Sequence, residues 1–347
     1  MFGRLLVMMD RDRFGLRGSV KFCQLQRTWY SRGCGPDACH REERNDMTVV
    51  EFRPDGSLER RWYKNPPPNS SEWTNFYDYT AGNQLTTERV EQGGMITITK
   101  LYKYDSAGRI SQIILPDKDG QQQVAETYSY DADGRKKKIV HIDPQPPSGG
   151  CGTMFGVDGT EAAFASPGAT SITSVYDEHG RPVEHLFHDS GGELITHIDL
   201  HHDERGNLVE EVCSQQKLPP ELLADIKPEQ LEAVRMLFTF RRRHRYDEQD
   251  RRIETSSNLA PNDVDLETFA YNDHGDVITT ISESSHTEYA LGEEGTLTPK
   301  PDSTRSHRSE TQFRYQYDPH GNWIEKIAET PGGPIWSLES RTISYFE

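Results

Sequence analysis

The chain has 347 residues, enough for two ordinary domains, yet only 33% are hydrophobic and the mean hydropathy is −0.81. Aromatic residues at 10%, with 15 Tyr and 13 Phe, exclude a disordered chain and require a fold much of whose structure is wetted. A net charge of −17, from 39 Lys+Arg against 56 Asp+Glu, excludes general affinity for the nucleic-acid backbone and for anionic membrane surfaces. No apolar stretch is long enough to span a bilayer.

Residues 1–14 read as an N-terminal extension. Its apolar run, Leu5 to Met9, is shorter than a secretory core and lacks a cleavage site, so no export signal is expected and the compartment stays unassigned. Five cysteines, an odd number, exclude a complete disulfide framework. Cys34 and Cys39, in the loop RGCGPDACH, either close a small disulfide or stay two free thiols. The x4 spacing also fits zinc with Cys23 and His40, but no second cysteine pair accompanies it, and no metal or cofactor is assigned.

Residues 15–347 read as one array of a single motif: an aromatic, Asp or Asn, two variable residues, Gly, and a polar residue leading into an aliphatic. The clearest copies carry Asp105 with Gly108, Asp131 with Gly134, Asp177 with Gly180, and Asp318 with Gly321, each Asp preceded by Tyr. Weaker copies use Phe52 with Gly56, Gly82, Asp203 with Gly206, Asp247 with Asp250, and Asn272 with Gly275. Four of the intervals are 26 residues and one is 25, while three are longer by 18 to 20. Asp at the first turn position bonds the amides ahead of it, and Gly at the fourth takes φ > 0 without a Cβ penalty, so each copy predicts a hairpin turn with a bulge. The residues before it alternate, as in Leu101-Tyr102-Lys103-Tyr104, which places aromatics on one face of a half-exposed strand. The expected fold is all-β: an antiparallel meander of about 20 strands, curled or spiralling, with stacked Tyr rings along its concave face and free edges at Ser19 to Tyr30 and Trp336 to Phe346. Such edges invite self-association.

The insertions 144–169, 214–238 and 283–307 all fall opposite the Tyr-Asp turns, as do the shorter loops, and form a rim suited to binding. Within the second, Pro219-Pro220, Pro228, Leu231, Val234, Leu237 and Phe238 predict a short helix with one apolar face, closing a mouth of the sheet. Six of the 13 histidines lie between His179 and His202. A hairpin at Gly191-Gly192 puts His188 and His197 on one face, but without a matched carboxylate they read as surface residues. No phosphate loop, Gly-x-Ser-x-Gly elbow or His-Glu-x-x-His motif is present, so no catalytic residue is assigned.

The YxYDxxGR copies resemble the YD repeats of the RHS family from roughly Gly15 onward. The resemblance implies a β-sheet shell of the kind found in bacterial toxin-complex proteins, RHS toxins and the teneurin ectodomain, with surface, secretion or toxin-delivery roles and a suggested affinity for carbohydrate. This chain departs from the large members. Its strands are too few for a big shell, and Asp318-Pro319-His320-Gly321 sits in phase with the repeat, so it reads as a turn and not as the family's cleavage motif. The functional expectation is a non-enzymatic scaffold whose loop rim binds a glycan or a protein. The alternatives are a partial shell or delivery component and, last, an enzyme with a site in the concave face.

Overall fold

The computed structural model describes residues 10–32, 41–64, 72–117, 119–141, 154–155, 164–165, 169–217, 226–237, 239–258, 263–292 and 296–347. Cys34, Cys39, His40 and Cys151 fall outside these residues, as does most of the insertion 144–169. Twenty strands form one antiparallel sheet in chain order, from Val20–Arg32 to Ile335–Tyr345. Two small ribbons, Met154–Phe155 with Phe164–Ala165 and Tyr289–Leu291 with Leu297–Pro299, lie in the connections.

The sheet is neither open nor spiralling. The expected free edges pair with each other, Gln24 with Thr342, Gln26 with Ser340 and Thr28 with Leu338, and so close a barrel. The reason is parity. In an up-and-down meander of an even number of strands, the first and last run antiparallel, and joining them satisfies the backbone groups that two edges would expose. Neither of those segments is available as an edge for self-association.

The nine motif turns occupy one rim. Asp105 is typical: its Oδ1 accepts the backbone N–H groups of Ala107 and Arg109, both at 2.9 Å, and its Oδ2 accepts Arg109 Nε at 2.8 Å. The Arg109 backbone and side-chain hydrogen bonds hold the Asp105 carboxyl below its ordinary range. Asp131, Asp177, Asp203, Asn272 and Asp318 sit in the same frame. Gly108, Gly134, Gly180, Gly206, Gly275 and Gly321 have φ between 77° and 94°. In the second copy Gly82 is not the left-handed residue. Thr80 takes the Asp place and Asn83 the Gly place, with φ 65°, because Asn tolerates this region better than other side chains do.

Most tyrosines before a turn donate the hydroxyl to a carbonyl just beyond the preceding turn: Tyr79 to Leu58 at 2.8 Å, Tyr104 to Leu85 and Tyr130 to Ile110 at 2.7 Å, and Tyr246 to Leu208 at 2.9 Å, while Tyr317 donates to the Asp276 carboxylate at 2.7 Å. The rings do not stack on one another as expected. Successive Tyr residues are two strands apart, about 9–10 Å, too far for contact, and an arginine fills the gap. Arg109 lies 4.3 Å over Tyr130, Arg135 5.0 Å over Tyr176, and Arg251 4.9 Å over Tyr271. Two of these arginines also reach the next turn's backbone, Arg135 to the Asp177 carbonyl and Arg251 to the Asn272 carbonyl.

The N-terminal segment locks the seam. Asp10 Oδ2 accepts the Leu58 amide at 2.9 Å, and Arg11 N–H donates to the Gly56 carbonyl at 3.2 Å. At the other end, buried Asn322 accepts the Arg17 amide at 2.6 Å and donates to the Arg17 carbonyl at 2.9 Å. Leu16, Val20, Cys23, Val50, Phe52 and Leu58 form one apolar cluster there, with Phe14 against it. A second cluster, including Ile172, Phe187, Ile198, Leu200 and Cys213, lies about halfway round the circuit. The strands between them carry polar residues beside apolar ones, such as buried Ile114 and exposed Ile96 and Ile98. Outward-facing Arg243, Arg245, Arg308 and Arg314 are each more than half exposed. No helix among the described residues is long and apolar enough to cross a membrane.

The expected helix in the second insertion is observed as a turn at Pro228–Gln230 followed by Leu231–Leu237; residues 218–225 fall outside the described set. Ala233 and Val234 are buried, and Gln230 Nε2 donates to the Gly292 carbonyl at 2.9 Å. This ties the second insertion to the third across the loop rim.

Candidate functional site in the barrel lumen

The residues singled out from sequence serve the wall. The motif turns form the rim opposite the loops, and their Asp oxygens are occupied by backbone and side-chain donors. His188 and His197 share the outer face, as alternation from the Asp189–Glu193 turn requires. Buried Cys23 and Cys213 are free thiols, and burial pushes Cys213 up to about 12, which leaves it an unreactive thiol.

A polar concavity lies on the inner wall, where strands Thr239–Tyr246, Arg252–Asn258, Val264–Tyr271, Val277–His286 and Arg305–Tyr317 run side by side. Alternation points the same face inward as the repeat tyrosines, and register aligns two rows across the strands. One row is His244, Thr255, Glu267 and Ser282; the other is Arg242, Ser257, Asp265, Ser284 and His307. With strands about 4.8 Å apart and alternate residues about 6.7 Å apart, the rows form a shallow floor about two to three times longer than it is wide. The cavity above it holds about 420 Å³.

Burial is the main cause that pushes His244 down to about 4, with the Arg242 charge adding to it, so the imidazole is neutral near pH 7. Its Nδ1 lies 3.0 Å from Thr255 Oγ1, while its buried Nε2 has no hydrogen-bond partner. Arg252 sits 5.4 Å over the Phe269 ring and Arg242 5.1 Å over Phe240. Arg242 Nη1 is also 3.5 Å from Glu211 Oε2. Glu211 is fully covered, and burial raises it to about 7 against the pull of Arg242. Asp265 faces His286, with Nε2 to Oδ1 at 3.3 Å.

The floor therefore alternates guanidinium and imidazole groups with carboxylates and hydroxyls. It can hydrogen-bond a ligand carrying many donors and acceptors. A general base works best with a pKa near the operating pH, and His244 is too weak a base for that role beside Thr255. Among the described residues only one group of three metal-capable side chains stands together, Glu184, His197 and Asp199, and it lies on the outer wall. Sequence reading missed the luminal rows because they exist only once five strands are in register across two insertions. The one available signal was the run of Ser, Thr and charged residues on the face that carries Tyr elsewhere.

These features define a closed, all-antiparallel barrel with a polar patch on its inner wall. No protein-family model matches the chain, and no curated protein does. Among solved structures, the TcdB2-TccC3-Cdc42 crystal structure matches over 85% of this chain and 12% of that one, at 13% identity and a TM-score of 0.34. A porin-like protein from Bacteroides uniformis matches over 95% and 98%, at 8% identity and a TM-score of 0.33. The Photorhabdus luminescens Tc holotoxin pore matches over 84% and 19%, at 11% identity and a TM-score of 0.18. At these scores the likenesses assign neither a family nor a function, and the chain spans a small part of the toxin-complex structures.

Proposed function

We propose that the protein is a non-enzymatic binding scaffold of YD-repeat type whose lumen holds an extended, hydroxyl-rich ligand of the oligosaccharide kind. The observation that carries this reading is the pair of aligned polar rows across five strands, with the buried Nε2 of His244 left without a partner. Saccharide hydroxyls act as donor and acceptor together, so they suit a floor where carboxylates, guanidiniums and hydroxyls alternate. The nine turns in one frame support the repeat reading, and the neutral, weakly basic imidazole supports binding without turnover. The loop rim, first expected to be the binding surface, becomes the entrance.

Calorimetric titration of the purified chain against a panel of neutral and acidic oligosaccharides tests this. Asp265→Asn and Glu267→Gln keep shape and remove charge, and each is expected to weaken binding about tenfold, the effect of losing a charged hydrogen bond of about 1.4 kcal/mol. No binding across the panel, or binding that both variants leave untouched, overturns the luminal site. A second reading, a delivery component that encloses part of a partner, is favoured by the closed wall. It predicts stable co-purification with a larger protein.

A further inference from the structure

Glu184 and Asp199 stand directly opposite each other on adjacent strands, and His197 precedes Asp199 by two residues, so all three share the outer face. The residues between them on the inner face, His185 and Ile198, are fully buried, which fixes the backbone beneath. His197 Nε2 lies 3.8 Å from Glu184 Oε2 and 3.4 Å from Asp199 Oδ1. That nitrogen is covered from solvent and makes no hydrogen bond. Two carboxylates facing each other across a strand pair repel, and among the described residues no Lys or Arg forms an ion pair with either one.

We propose that Glu184, His197 and Asp199 form a divalent-metal site, separate from the lumen, that takes a first-row transition ion of the zinc class. Donor atoms about 2.0–2.2 Å from a common zinc ion lie about 3–3.5 Å from one another in tetrahedral or octahedral geometry. The distances here sit at and just above that range, and all three donors fall within 4.8 Å of each other. The cation neutralises the facing carboxylates and gives the covered imidazole nitrogen a partner. One nitrogen and two oxygens suit zinc or manganese, with water completing the shell. They are too few oxygens for calcium and the wrong donors for copper(I). Sequence reading saw His197 with His188; the matched carboxylates are Glu184 and Asp199, which the hairpin register supplies.

The test is competition titration of the full-length chain with Zn²⁺ against a chromophoric chelator, followed by Co²⁺ substitution. One site of micromolar or tighter affinity is expected. Glu184→Gln, His197→Ala and Asp199→Asn should each weaken it at least about tenfold, and His188→Ala should leave it unchanged. The two isosteric carboxylate variants carry the result if the histidine variant fails to fold. Bound Co²⁺ should show visible d–d bands without a thiolate charge-transfer band. Affinity no tighter than millimolar overturns the site, as does affinity indifferent to all three variants. A thiolate band lost on substituting Cys34 and Cys39 would place the metal there and overturn it equally.

Discussion

Replacing Phe52 by alanine is expected to cost about 3–5 kcal/mol, the usual loss on emptying a fully buried aromatic site, and to act at the seam. Phe52 is 1% exposed and meets Phe14 edge to face, with centroids 5.8 Å apart. It shares its cluster with Leu16 and Val20, residues of the segment that closes the ring. Hydrogen exchange should therefore show Val20–Arg32 and Ile335–Tyr345 losing protection first. Phe187→Ala, in the other cluster, should cost a similar amount but release Ser171–Tyr176 through Leu208–Gln215. Separate opening of the two regions is the behaviour of distinct cooperative units. The same exchange pattern in both variants would show that the barrel melts as one piece.

Glu211→Gln is expected to stabilise the protein by about 3 kcal/mol at pH 8 and to change little at pH 4. The Glu211 carboxyl is raised in the fold from 4.5 to about 7. Below pH 4.5 it is neutral in both states. Between there and about pH 7 the unfolded chain ionises while the folded chain resists, so the wild type loses stability as pH rises. His244 has the opposite sign. Its folded value of about 4 lies under the ordinary 6.5, so its contribution is complete above 6.5 and is lost as pH falls toward 4. In the wild type the two slopes oppose each other between about pH 4.5 and 6.5, and removing the Glu211 term should leave a curve that rises through this range. Denaturant unfolding at unit pH steps reads both. Destabilisation of Glu211→Gln at pH 8 by several kcal/mol would instead mean that Glu211 is ionised and bound to Arg242, since breaking a buried pair has that cost.

The turns were legible because their chemistry is local. Five consecutive residues, with Asp at the first and Gly at the fourth, contain both the donors' partner and the left-handed position. Asp105 through Arg109 could be read without knowing what lay elsewhere. Asn83 shows the limit: with Thr in the Asp place, a neighbouring glycine took the eye while the asparagine made the turn. The Tyr–Arg alternation depends on a spacing of two strands, and closure depends on strand parity together with contacts such as Asn322 with Arg17, which are 305 residues apart. Nothing within one repeat encodes either. The luminal floor was hidden for the same reason, because Arg242 and His307 reach one row only through three intervening strands.

Closure of the ring is tested most directly by a disulfide across the seam. Gln26 faces Ser340 in the pairing of the first and last strands, and such partners have Cα atoms about 4.5–5.5 Å apart, within reach of a disulfide. In a chain carrying Gln26→Cys and Ser340→Cys, with the five native cysteines replaced, mild oxidation is expected to link the two positions within a monomer and to give the cross-linked peptide on digestion. An oxidised chain that stays unlinked, or links only between two molecules, would contradict the closed barrel.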